Sequence, residues 1–99
     1  MLSKTEILNT LRSQKAFLRQ KFHVAQIGLF GSFARDENTE QSDIDFLVVI
    51  EPDIPNYRQT KNALREYLSR TFNKEVDLAN PNSLKPHFKD RILKTAVYA

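Results

Sequence analysis

A chain of 99 residues, 40% of them hydrophobic and 27% charged, has material for one small domain with one hydrophobic core. It contains no run of about 18 apolar residues, which excludes a spanning helix, and no cysteine, which excludes disulfides and thiolate metal sites. The net charge of +3 is mild but unevenly laid out: seven acidic residues and no basic one lie between Asp36 and Asp53, while basic residues dominate Lys4–Lys21 and Lys85–Lys94.

The chain opens on Ser3-Lys4-Thr5-Glu6, a capping box, with Leu2 and Ile7 placed as a hydrophobic staple. Ile7, Leu8, Leu11 and Leu18 recur at helical spacing and predict a helix from about Lys4 to Lys21. No apolar segment of signal-peptide type follows Lys4, so a cytoplasmic protein is expected. Val24 to Phe30 is a short apolar run that stops at Gly31 and predicts a strand, and Ser32 to Arg35 fits a short helical turn. Asp36 to Ser42 is polar and reads as a loop. Asp43 to Ile50 is β-branched and apolar and gives the clearest strand in the chain. Beyond Pro52 and Pro55, a second helix is predicted from Tyr57 to Thr71, with Ala63, Leu64, Tyr67, Leu68 and Phe72 on its inner face. A short strand over Lys74–Ala79, a turn at Asn80-Pro81-Asn82 and a last helix from Pro86 to Thr95 complete the series. Phe17, Phe22, Phe72 and Phe88 have apolar neighbours in or beside helices and are read as core.

Side chains alternate along a strand, so Asp43 and Asp45 share one face about 7 Å apart, and Ile44 and Phe46 share the other. Two carboxylates on one face repel each other, and a divalent cation removes the conflict. Oxygen donors without His or Cys suit Mg²⁺ or Mn²⁺. Asp77 interrupts the apolar strand Val76-Asp77-Leu78. It is an exposed edge charge, or, if its strand lies beside that of Asp43, the third member of a carboxylate set able to hold two ions about 3.5–4 Å apart for in-line displacement at phosphorus. Gly31-Ser32 closes a strand just before the Asp-x-Asp strand, where backbone N–H groups and a hydroxyl would face an anion, although Gly-Ser is most often only a turn. Arg35 is placed either to neutralise phosphate or to pair with the acidic loop.

Taken together, Gly31-Ser32, Ser42-Asp43-Ile44-Asp45-Phe46-Leu47-Val48 and the later Asp77 resemble the signature of the DNA polymerase β-like nucleotidyltransferase superfamily. Its short length and its closing segment, Leu84-Lys85-Pro86 through Ala96-Val97-Tyr98, make the chain similar to the minimal nucleotidyltransferases (MNT), so residues 1–99 are expected to be a single MNT domain. The resemblance implies an α/β (α+β) fold, a small mixed sheet with helices packed on it. It implies that Asp43, Asp45 and Asp77 bind two Mg²⁺ ions (or Mn²⁺) and carry catalysis. It implies also that Gly31, Ser32 and Arg35 bind the nucleotide, with ATP as substrate. One position departs from the pattern. Many relatives have Gly after the Arg of Gly-Ser-x-Ala-Arg, where this chain has Asp36. Asp tolerates a left-handed turn, so the loop is expected to form.

The MNT resemblance further implies a partner, a HEPN-domain RNase toxin, for which this chain would be the antitoxin by transferring AMP to a toxin tyrosine. The alternatives are an antitoxin that acts by binding alone, and nucleotidyl transfer to an RNA end or a small molecule. Direct nucleic-acid binding is not expected, because the aromatic residues read as core rather than as a stacking surface.

Overall fold

The computed structural model describes residues 2–99, so Met1 of the expected 1–99 domain lies outside the described residues. Ser3 caps the first helix as its sequence requires. Its hydroxyl accepts the Glu6 N–H at 3.2 Å and lies 3.2 Å from the Glu6 carboxylate. Leu2 packs against the core that buries Ile7. The helix predicted over Lys4–Lys21 is divided in two, α1 (Lys4–Ser13) and α2 (Lys15–Phe22). The division has a local cause. Thr10 and Ser13 turn their hydroxyls back onto the carbonyls of Glu6 and Thr10, at 2.9 and 2.8 Å, and such bonds bend helices. The Gln14 side chain at the break accepts a hydrogen bond from the Tyr67 hydroxyl, which ties the bend to the next long helix.

Strand β1 (Val24–Phe30) runs antiparallel to β2 (Ile44–Ile50). A register shift between Val24 and Gln26 resets the alternation, so Val24 and Ile27 both reach the core. Between the strands lies α3 (Gly31–Ala34), a single helical turn, then the polar loop. The left-handed turn expected of Asp36 is present, with φ +57°. Lys74 anchors the loop by donating to the Glu40 carbonyl at 2.9 Å.

Helix α4 (Tyr57–Phe72) leads into β3 (Val76–Ala79), which pairs parallel with β2. On α4, Leu64 and Leu68 are buried and Tyr67 and Phe72 partly so, as expected, but Ala63 is exposed. A 3-10 turn at Pro81–Ser83, helix α5 (Pro86–Thr95) and a two-residue strand β4 (Val97–Tyr98) follow. No strand was predicted at β4. It forms because Gly28 leaves room: a Cβ there would lie 3.0 Å from the Val97 carbonyl and from the Tyr98 ring. The sheet order is β3-β2-β1-β4, a mixed sheet as the α/β reading expected.

The core lies between one face of this sheet and the helices, with Ile7, Leu11, Leu18, Ile44, Phe46 and Leu64 at its centre. Phe22 is in it and Phe72 packs against it, but Phe17 and Phe88 are exposed, contrary to the sequence reading. Phe17 instead lies edge-on to Phe22 and tilted against Tyr67, at the rim. Among the described residues no helix is long and apolar enough to cross a membrane.

Candidate active site

The face of the sheet chosen by Asp45 is decided by its neighbours. Ile44 and Phe46 are fully buried in the core, and the pleat therefore turns Asp45 to the other side. In the register of the sheet Asp45 stands between Phe30 of β1 and Asp77 of β3. The parallel pairing of β2 with β3 thus puts Asp77 directly beside Asp45. Asp43, the strand start expected from sequence, is the residue before β2, which begins one residue later at Ile44. Asp43 and Asp77 are exposed, and Asp45 is half-buried.

These carboxylates feel one another. Burial, then the charge of Asp77, then that of Asp43 push the Asp45 carboxyl up from 3.8 to about 6, with Arg35 pulling the other way. Such crowding of like charge, made of oxygen donors alone, is the donor chemistry that suits a hard divalent cation. Among the described residues no three acidic or histidine side chains are gathered tightly enough to enclose one ion as they stand.

Gly31 lies against the same carboxylate. It follows Phe30, the register partner of Asp45, and has φ +75°. A Cβ on Gly31 would lie 2.2 Å from Asp45 Oδ2, so no side chain fits there. The Ser32 carbonyl accepts the Glu37 N–H at 2.9 Å, which folds the acidic loop back over α3. Ser32 itself is partly buried beside this turn. Arg35 pairs with Glu37 at 3.0 Å, the loop-pairing alternative of the sequence reading, while remaining close enough to Asp45 to influence it. An open cleft of about 430 Å³ begins at Gly31, Arg35 and Glu37, and α5 forms its far wall. The α5 wall was missed from sequence. Its signal was present in the spacing of Phe88, Arg91, Ile92 and Thr95, which places them on one helix face.

A strand end carrying two carboxylates, a third in register beside it and a glycine turn against them is the arrangement the sequence signature requires. The nucleotidyltransferase domain family matches residues 11–99 of the chain. The chain belongs to that family. This nucleotidyltransferase is 40% identical over 98 residues to protein adenylyltransferase MntA of Thermococcus cleftensis, covering 99% of this chain and 97% of the relative. A solved structure provisionally described as a minimal nucleotidyltransferase shares its fold with a TM-score of 0.77 at 26% identity, over 97% of this chain and 95% of the other. The same fold recurs, with a TM-score of 0.60 at 18% identity, in a chain from the complex of a tri-AMPylated Shewanella oneidensis HEPN toxin with its MNT antitoxin. That alignment covers 92% of this nucleotidyltransferase and 70% of the other chain.

Proposed function

We propose that residues 1–99 act as one minimal nucleotidyltransferase domain that transfers AMP from ATP to a tyrosine of a HEPN-domain RNase toxin, and so serves as the toxin's antitoxin in the cytoplasm. The observation that carries this reading is the alignment of Asp45 with Asp77 across β2 and β3, beside the Gly31 turn and next to Asp43. The identity to an adenylyltransferase over nearly the whole of both chains supports the choice of AMP and of a protein acceptor.

In this reading Asp43, Asp45 and Asp77 would hold two divalent ions, Mg²⁺ or Mn²⁺. When bound, the ions supply neutralisation of the charge on the attacking and leaving oxygens. The residues of the chain do the rest. Gly31 lets the backbone come close to the phosphates, and Ser32 offers its hydroxyl as a donor. Arg35 adds positive charge beside them. Asp77 takes the proton of the acceptor hydroxyl as its oxygen bonds to the α-phosphorus. The bond from that phosphorus to the bridging oxygen breaks, and pyrophosphate departs with the electron pair. Water is not the acceptor of choice, because a tyrosine delivered by a bound partner is held in place and water is not.

Intact-protein mass spectrometry of the HEPN partner, incubated with this chain, Mg²⁺ and each nucleoside triphosphate in turn, tests the reading. A gain of one or more AMP residues on the partner, with ATP only, is expected. A stable complex with no gain in mass would favour an antitoxin acting by binding alone.

A further inference from the structure

The cleft beside Gly31 has an uneven charge arrangement. On the sheet side the Arg35 guanidinium is already taken up by Glu37, at 3.0 Å. On the α5 side Arg91 lines the same cleft and makes no ion pair or hydrogen bond among the described residues. Phe88 and Thr95 flank it, one turn to either side on the same helix face. A surface arginine without a partner is ordinary. This one faces a recess whose opposite end is the glycine that touches Asp45.

The charge arithmetic of the site makes Arg91 matter. Asp43, Asp45, Asp77 and Glu37 all carry negative charge at or near this end of the sheet, and a polyphosphate brings more. Among the described residues, the cations lining the cleft are Arg35 and Arg91. If the α-phosphate lies at the carboxylates, the rest of a triphosphate passes Gly31 into the recess. A planar guanidinium grips phosphate oxygens through two parallel N–H bonds, which an ammonium cannot do.

We propose that Arg91 of α5 is a substrate-binding residue that holds the terminal phosphates of a nucleoside triphosphate and the pyrophosphate formed from them. This rests on the nucleotidyltransferase reading above and assigns α5 a part in it. As the α-phosphorus–oxygen bond breaks, the electron pair stays on the pyrophosphate oxygen, and the Arg91 N–H groups face the charge that accumulates there.

Calorimetric titration with Mg²⁺ and α,β-methylene ATP, which cannot be cleaved at the α-phosphate, tests the assignment, with AMP as the ligand that lacks the tail. Arg91→Ala should weaken binding of the triphosphate analogue about tenfold or more and leave AMP binding as in the wild type. Arg91→Lys should recover part of the loss, and Lys94→Ala, which removes a charge outside the cleft lining, should change neither ligand. Equal triphosphate affinity in wild type and Arg91→Ala would overturn the assignment while leaving the nucleotidyltransferase reading in place. Loss of AMP and triphosphate binding to the same extent would also overturn it. A wild-type protein that binds no triphosphate would overturn both.

Discussion

The two halves of the proposed substrate site are built differently. The β2–β3 end stands on Ile44 and Phe46, both fully buried, so the backbone that carries Asp43 and Asp45 is fixed from beneath. Helix α5, across the cleft, buries none of its residues completely, and Phe88 and Leu93 are exposed. In-line chemistry tolerates little displacement of the groups that touch the reacting phosphorus, whereas a charge on the tail of a substrate acts through a longer and more forgiving contact. The packing follows this division: the half with the tighter geometric demand has the tighter core.

Substitutions separate the halves. The largest effect is expected from Asp43→Asn, Asp45→Asn and Asp77→Asn singly, each lowering the initial rate of AMP transfer by at least about a thousandfold with the circular dichroism of the fold retained. Phe46→Ala should cost about 3 kcal/mol in urea unfolding, because it empties the support beneath the site. Gly31→Ala combines a disfavoured φ of +75° with a Cβ placed 2.2 Å from Asp45 Oδ2. It should cost about 1–2 kcal/mol of stability and impair transfer more than that loss explains. In contrast, Leu93→Ala on α5 should leave the unfolding midpoint within about 0.5 kcal/mol of wild type, and a loss as large as that of Phe46→Ala would erase the contrast.

Asp45 gives the comparison a pH dependence. Its carboxyl is raised in the folded state, to about 6 from 3.8, so the folded protein holds this proton more tightly than the unfolded chain does. The resulting stability is fully present below the ordinary value and is lost as pH rises through about 6. Without metal, Asp45→Asn should therefore be more stable than wild type near neutral pH. We expect about 1 kcal/mol, discounted for solvent screening of a half-exposed group, and the difference should vanish as the pH approaches about 4. An unfolding series against pH in the presence of a chelator measures it. A wild type more stable than the variant at neutral pH would mean that Asp45 is not crowded by its neighbours.

Much of this was legible in the sequence because it depends on short-range rules. The period of a strand put Ile44 and Phe46 in the core and Asp45 on the other face of the sheet. The capping box gave the start of α1, and the expected left-handed turn at Asp36 is there. Asp77 could be placed only by assuming which strands pair, since one residue on one strand does not say what lies beside it. What stayed hidden was set by distant contacts. Strand β4 exists because Gly28 admits it, and two residues of propensity do not announce a strand. The break at Gln14 is held by Tyr67, far along the chain, although the hydroxyls of Thr10 and Ser13 hinted at a bend. Phe17 and Phe88 show the limit of reading burial from apolar neighbours alone: both belong to amphipathic helices, and both lie at the edge of the apolar face. Arg91 shares that limit, because helical spacing tells which residues share a face but not what the face looks onto.

Manganese binding followed by electron paramagnetic resonance, with α,β-methylene ATP present, most directly tests the claim that the aligned carboxylates act together on a divalent cation. Wild type, Asp45→Asn and Asp77→Asn would be titrated near neutral pH. The account predicts that each variant binds Mn²⁺ at least about tenfold more weakly than wild type, because each removes a hard oxygen donor from a shared set. Unchanged Mn²⁺ affinity in both variants, with the fold intact, would contradict it.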